Sequence, residues 1–121
     1  MTKNVTVTSA QVLAMNTTPI ELLPALPSNQ YYDYEVRLRN NFNTTAYAAQ
    51  GSGFRVEHKA SVQSFPSALL VATETTTFVK ASSSTYYSTL DNVVLTMSAD
   101  PISGDGTFDL IIKYRVVTIT T

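Results

Sequence analysis

His58 is the only histidine in the 121 residues, so any Ser-His-Asp relay in this chain would have to run through it. A serine hydroxyl needs a base that titrates near neutral pH, and histidine supplies one. No Gly-x-Ser-x-Gly elbow accompanies it. His58 follows Phe54 and Val56 at two-residue spacing, which places it at the end of an apolar strand face. The reading is a partly buried structural or interface histidine. One His and no Cys leave a zinc site short of nitrogen and sulfur ligands. Asp100, Asp105 and Asp109 form the best metal candidate, because calcium takes six or more oxygens from carboxylates and loop carbonyls. Their spacing does not match an EF-hand, and Asp and Gly in this loop have ordinary turn roles. Gly51-Ser52-Gly53 lacks the third glycine and following helix of a dinucleotide fingerprint, and reads as a turn or bulge. No catalytic residue, metal or cofactor is therefore expected, and the chain does not read as an enzyme.

The tyrosines are more informative. Tyr31-Tyr32 open one strand and Tyr86-Tyr87 follow a Ser-rich loop. Adjacent residues of a strand point to opposite faces, so one of each pair should face outward or into a contact. Tyrosine is favoured at protein interfaces, and its ring also stacks on sugars. Tyr31, Tyr32, Tyr86 and Tyr87 are thus candidate interface residues, together with Val117 and Ile119 near the C-terminal end.

The elements that position these residues read as strands. Tyr32, Tyr34, Val36 and Leu38 alternate with Asp33, Glu35, Arg37 and Arg39. The same period runs through 54–59 and 92–98. Segment 107–119 is the longest, with Phe108, Leu110, Ile112, Tyr114 and Val116 on one face. Its last residues are apolar on both faces, which predicts cover on both sides, from an N-terminal arm or another subunit. Weaker strands are expected at 4–8, 11–15, 19–23, 68–72 and 76–80. Pro24 and Pro27, the cluster Asn40 to Asn43, Pro66, Ser82 to Ser84 and the loop 100–106 punctuate them. Gly104 and Gly106 are expected to supply positive φ in that last loop. No 3.6-residue stripe stands out, so little helix is expected.

Eight or nine short strands at this spacing predict an all-β sandwich or barrel. The absence of Trp and Cys removes the hallmarks of an immunoglobulin domain. The expected fold is a single jelly-roll-like sandwich of about eight short antiparallel strands over 11–121, preceded by an arm or edge strand over 1–10.

Composition agrees with this reading and excludes other classes. Thr (18) and Ser (12) make a quarter of the chain. Hydrophobic residues make 44%, too many for a disordered chain of such low charge. Eight basic against nine acidic residues give no broad basic surface for nucleic acid. Met1 to Thr8 lacks the apolar core of a secretory signal, and no run approaches the ~20 residues that span a bilayer. Zero Cys agrees with folding in a reducing compartment.

Several segments also stand in a telling order. Thr17-Thr18-Pro19-Ile20-Glu21-Leu22-Leu23-Pro24 precedes the strand Tyr31 to Leu38, then Thr44-Thr45-Ala46-Tyr47 and the Gly51/Gly53 turn. Asn92-Val93-Val94-Leu95-Thr96 and Asp105-Gly106-Thr107-Phe108 through Tyr114-Arg115-Val116-Val117 close the chain. This order, over residues 12–119, resembles small β-sandwich proteins of tailed-phage virions. The resemblance implies a capsid decoration, auxiliary capsid or head-fibre role, with no catalytic residues to carry over. It implies contact with the major capsid protein or other virion proteins, and a homo-oligomer, with a trimer favoured. The implied location is the virion, assembled in the bacterial host cytoplasm. A host-glycan or receptor-binding module using the exposed tyrosines, or a tail or baseplate component, is the alternative.

Overall fold

A computed structural model describes residues 1–27, 29–51, 53–58, 61–83 and 92–118, with backbone only for 61 and 78–83. Among these residues, eight strands and two short helices follow in order. They are β1 (Thr2–Val7), α1 (Ser9–Leu13), β2 (Ile20–Leu23), β3 (Gln30–Asn41), β4 (Arg55–His58), β5 (Ser61–Ser64), α2 (Ser67–Leu70), β6 (Thr76–Ser83), β7 (Val93–Thr96) and β8 (Thr107–Thr118).

The strands form two antiparallel sheets, ordered β1-β8-β3-β6 and β2-β7-β4-β5. Strand 1 pairs with 8, 2 with 7, 3 with 6 and 4 with 5. This is one long hairpin, with its tip at β4–β5, rolled so that β3 also meets β8 and β4 also meets β7. The result is the jelly roll, the expected fold.

Alternation explains the core. Along β3, Tyr32, Tyr34, Val36 and Leu38 are buried; along β8, Phe108, Leu110 and Ile112 are fully buried. The second sheet contributes Phe54, Val56, Val93 and Leu95 to the same cluster. The sheets meet edge-to-face at Phe54 and Phe108, with ring centroids 4.7 Å apart. In β2 the ladder shifts between Glu21 and Leu23. The irregularity lets the neighbours Leu22 and Leu23 both turn inward, which a regular strand forbids.

Five sequence expectations are corrected. Ser82 and Ser83 continue β6, opposite Tyr34 and Asp33, rather than lying in a loop. Residues 11–15 are not a strand, because Thr8 caps α1. Its hydroxyl accepts from the Gln11 N–H, while the Gln11 side chain accepts from the Thr8 N–H. Thr8-x-x-Gln11 is a capping box written in the sequence. Residues 68–72 are also not a strand: α2 starts after Pro66 and buries Leu69 and Leu70. Asn40 and Asn41 belong to β3 rather than to a turn. Asn40 is buried, and its amide donates to the Leu69 carbonyl at 2.8 Å, satisfying a helix-end group. Only Gly104 of the two loop glycines has positive φ, at 104°. Gly106 is needed for close approach instead, since a Cβ there would lie 2.7 Å from the Asn41 oxygen.

Removing the ring at the sheet–sheet contact should be costly. Phe108→Ala should lower unfolding free energy by about 3–5 kcal/mol in urea titration. Gly104→Ala should destabilise by about 1–3 kcal/mol, through its left-handed backbone. The new Cβ would also lie 2.2 Å from the Tyr47 ring.

Candidate interaction surface

The β3–β8 ladder places one row of side chains in the core and the other on the outer face of its sheet. The outer row of β3 is Tyr31, Asp33, Glu35, Arg37, Arg39 and Asn41. Opposite stand Val117, Arg115, Lys113, Ile111, Asp109 and Thr107. Seven of the chain's charged side chains therefore share one sheet face, and opposite signs meet across the strands. Arg115 bonds Asp33 at 2.9 Å, and Arg39 bonds Asp109 at 2.6 Å. Arg37 meets Glu35 along the strand at 3.2 Å. These pairs are exposed, so each contributes at most about 1 kcal/mol to stability. Their larger effect is to set the pattern of charge that a partner meets.

Between these pairs lies a depression of about 380 Å³, bordered by Asn4, Thr6, Arg37, Arg39, Thr77 and Ile111. Strands distant in sequence supply its lining. Sequence reasoning missed it because no local motif joins residues that only the sheet order brings together.

Among the described residues, β1 pairs with β8 from Phe108 to Lys113 and β6 with β3 from Asp33 to Asn40. At one end of the β3–β8 ladder, Gln30–Tyr32 pair with Val116–Thr118. Tyr31 lies opposite Val117 on its outer face, and Tyr32 opposite Val116 on its inner face. The tyrosine pair divides as alternation requires. Tyr31 is half-buried, whereas Tyr32 is 2% exposed and donates its hydroxyl to the Pro24 carbonyl at 2.6 Å. Tyr32 is therefore a core residue rather than a surface platform, and burial raises the pKa of its phenol. Val117 is half-buried and Val116 is 36% exposed. Tyr86, Tyr87 and Ile119 lie outside the described residues.

The opposite end is pinned. Asp105 accepts from the Thr44 hydroxyl, the Thr44 and Thr45 N–H groups and the Asn43 amide, tying the loop after β3 to the loop before β8. Asp100 accepts from the Thr17 hydroxyl and from the Asn16 and Thr17 N–H groups, tying the segment before β2 to the same loop. The buried Tyr47 hydroxyl donates to the Gly106 carbonyl. Burial, then the Asp105 charge, push that phenol up to about 12. Asp109 turns to Arg39 and Asn41 instead. The three aspartates of the calcium candidate thus serve three separate sets of donors. Among the described residues, no three His, Cys, Asp or Glu side chains gather where a metal ion would fit. His58 is fully buried, with its ring 6.0 Å from that of Tyr32.

The pinned end gives the fold an acid limit. The Thr44 hydroxyl bond, followed by the Thr45 and Thr44 N–H bonds, holds the Asp105 carboxyl at about 2, below its ordinary 3.8. The Thr17 hydroxyl, followed by the Thr17 N–H, lowers Asp100 as well. A depressed carboxyl stabilises the folded state above its unfolded pKa, and that stability is lost as pH falls through the folded value. Thermal melts should therefore be flat near neutrality and fall between about pH 4 and about pH 2. Asp105→Asn should melt lower at pH 7 and show a shallower acid decline; an unchanged decline would remove Asp105 as its source. Comparison with protein-family models, curated proteins and solved structures finds no match for this chain.

Proposed function

We propose that this chain is a structural subunit of a bacteriophage virion, of the auxiliary or decoration type, that binds the capsid surface through protein contacts. The observation that carries the reading is the strand order. Two four-stranded sheets rolled from one hairpin form an architecture that viral capsid domains use. A fold alone does not name a function, so the surface must bear the rest of the argument. Here the outer face of the β1-β8-β3-β6 sheet is a field of paired charges, suited to register against a complementary protein surface. The sequence order over 12–119 points the same way. In this reading the chain is made in the host cytoplasm and resides on the particle, beside the major capsid protein.

A second reading rests on the depression at Arg37, Arg39, Asn4 and Thr6, because lectin domains also use the jelly roll and glycans offer hydroxyls to such groups. A tail or baseplate position would use the same chemistry on a different part of the particle.

The test is co-sedimentation of the full chain with phage heads and, separately, with tails. Antibody labelling of intact particles by electron microscopy gives the location. Saturable binding to heads, with label on their surface, is the expected result. Binding confined to tails would move the protein to the tail, and a positive glycan array without particle binding would favour the second reading. Binding to neither heads nor tails would overturn the virion role.

A further inference from the structure

We propose that Ile102 is a knob that one copy of this chain inserts into the depression at Arg37 and Arg39 of a second copy. This does not depend on the virion role. Ile102 is 57% exposed. A singly exposed apolar residue is ordinary in itself. What sets Ile102 apart is how firmly its loop holds it. Its N–H donates to the Ala48 carbonyl and its carbonyl accepts from the Ala48 N–H, both at 2.9 Å. Pro101, just before it, is buried. Asp100 and Asp105 tie the loop down on either side. Between them Ser103 takes a left-handed φ of 57°, which a non-glycine residue seldom adopts, and Gly104 follows at 104°. A side chain presented on so fixed a loop loses little freedom on binding.

The depression has the complementary features. Its volume of about 380 Å³ has room for one branched aliphatic side chain and part of the loop that carries it. Ile111 lines it, standing opposite Asn4 on β1 and Arg37 on β3. The carbon stems of Arg37 and Arg39 add apolar surface around that side chain. Charge fits as well. Asp100 and Asp105 accept only from N–H, hydroxyl and amide groups, and among the described residues neither has a cationic partner. Two uncompensated negative charges therefore flank the knob. On the depression, Arg37 bonds Glu35 through Nε alone, and Arg39 bonds Asp109 through one terminal nitrogen. Each guanidinium carries five N–H groups in all, so both have donors left for an acidic loop. The knob lies on the loop before β8, whereas the depression lies on the outer sheet face. Each copy thus offers one of each, and the contact is head-to-tail. Such contacts close into a ring where the rotation permits, and otherwise extend as a chain.

Light scattering on the full chain should give a mass that rises with concentration beyond twice 13.2 kDa. Ile102→Asp removes the knob and should weaken association by about thirtyfold or more, as loss of a central anchor does. Thr6→Trp, at an exposed position beside the depression, fills the hole and should have the same effect. Both variants should keep the far-ultraviolet circular dichroism spectrum of the parent chain. Val62→Asp, which replaces a 45% exposed valine on the other sheet, should leave the assembly unchanged. Ile102→Asp keeps its depression and Thr6→Trp keeps its knob. Mixed one-to-one, they should form a pair and nothing larger, which a folding defect in either would not allow. A monomer at all concentrations would overturn the proposal, as would a parent chain whose mass stops at the pair. Assembly insensitive to Ile102→Asp or to Thr6→Trp, or no pair on mixing, would overturn it as well.

Discussion

The antiparallel ladder between β3 and β8 is the constraint on which the rest depends. It runs from Gln30 opposite Thr118 to Asn41 opposite Thr107. One side of it is the inner wall of the sandwich, where Tyr34, Val36 and Leu38 lie opposite Tyr114, Ile112 and Leu110. The other side carries seven charged side chains. Because the side-chain period is two, a slip of one residue would exchange those rows. Aspartate and arginine would then face Phe54, and Leu38 would face water. Register is therefore strongly specified, and β1 and β6 join the flanks of a template already determined.

The two ends of this ladder differ in the side chains that surround them. At the β8 start, two carboxylates and a buried phenol bind the neighbouring loops to the loop 97–106. That end gains its order from hydrogen bonds to side chains, since the loops contribute few ladder bonds of their own. At the β8 end, Tyr31 lies opposite Val117 and Tyr32 opposite Val116. Paired charges cover the middle of the outer face, while uncharged residues occupy this end. The proposed docking rests on that charge pattern along the sheet.

Much of the fold was legible because half-buried strands leave a period-two pattern. Within the described residues, the strands expected over 31–39, 54–58 and 107–118 are found, and His58 fell on the buried face that Phe54 and Val56 predict. The misreadings share a cause. Residues 11–15 and 68–72 are apolar stretches too short for periodicity to separate a helix from a strand. The Thr8–Gln11 capping box carried the deciding signal for the first, and Pro66 marks the start of the second. β5 holds one large apolar residue, Val62, and its identity as a strand depends on its pairing with β4. Of the candidate interface, Tyr31 and Val117 do meet across the ladder, whereas Tyr32 belongs to the core.

By itself the sequence determined an all-β class, the buried faces of the long strands and the shortage of groups for acid–base or thiolate chemistry. Those properties follow from residue type and local spacing, which each segment carries with it. Tertiary structure decided the strand order, the partition of Asp100, Asp105 and Asp109 among separate donors, the depression at Arg37 and Arg39, and the meeting of Tyr31 with Val117. Each of these joins residues from distant segments. Their geometry follows from which strands pair and where the pairing ends, and a list of side chains does not contain that information.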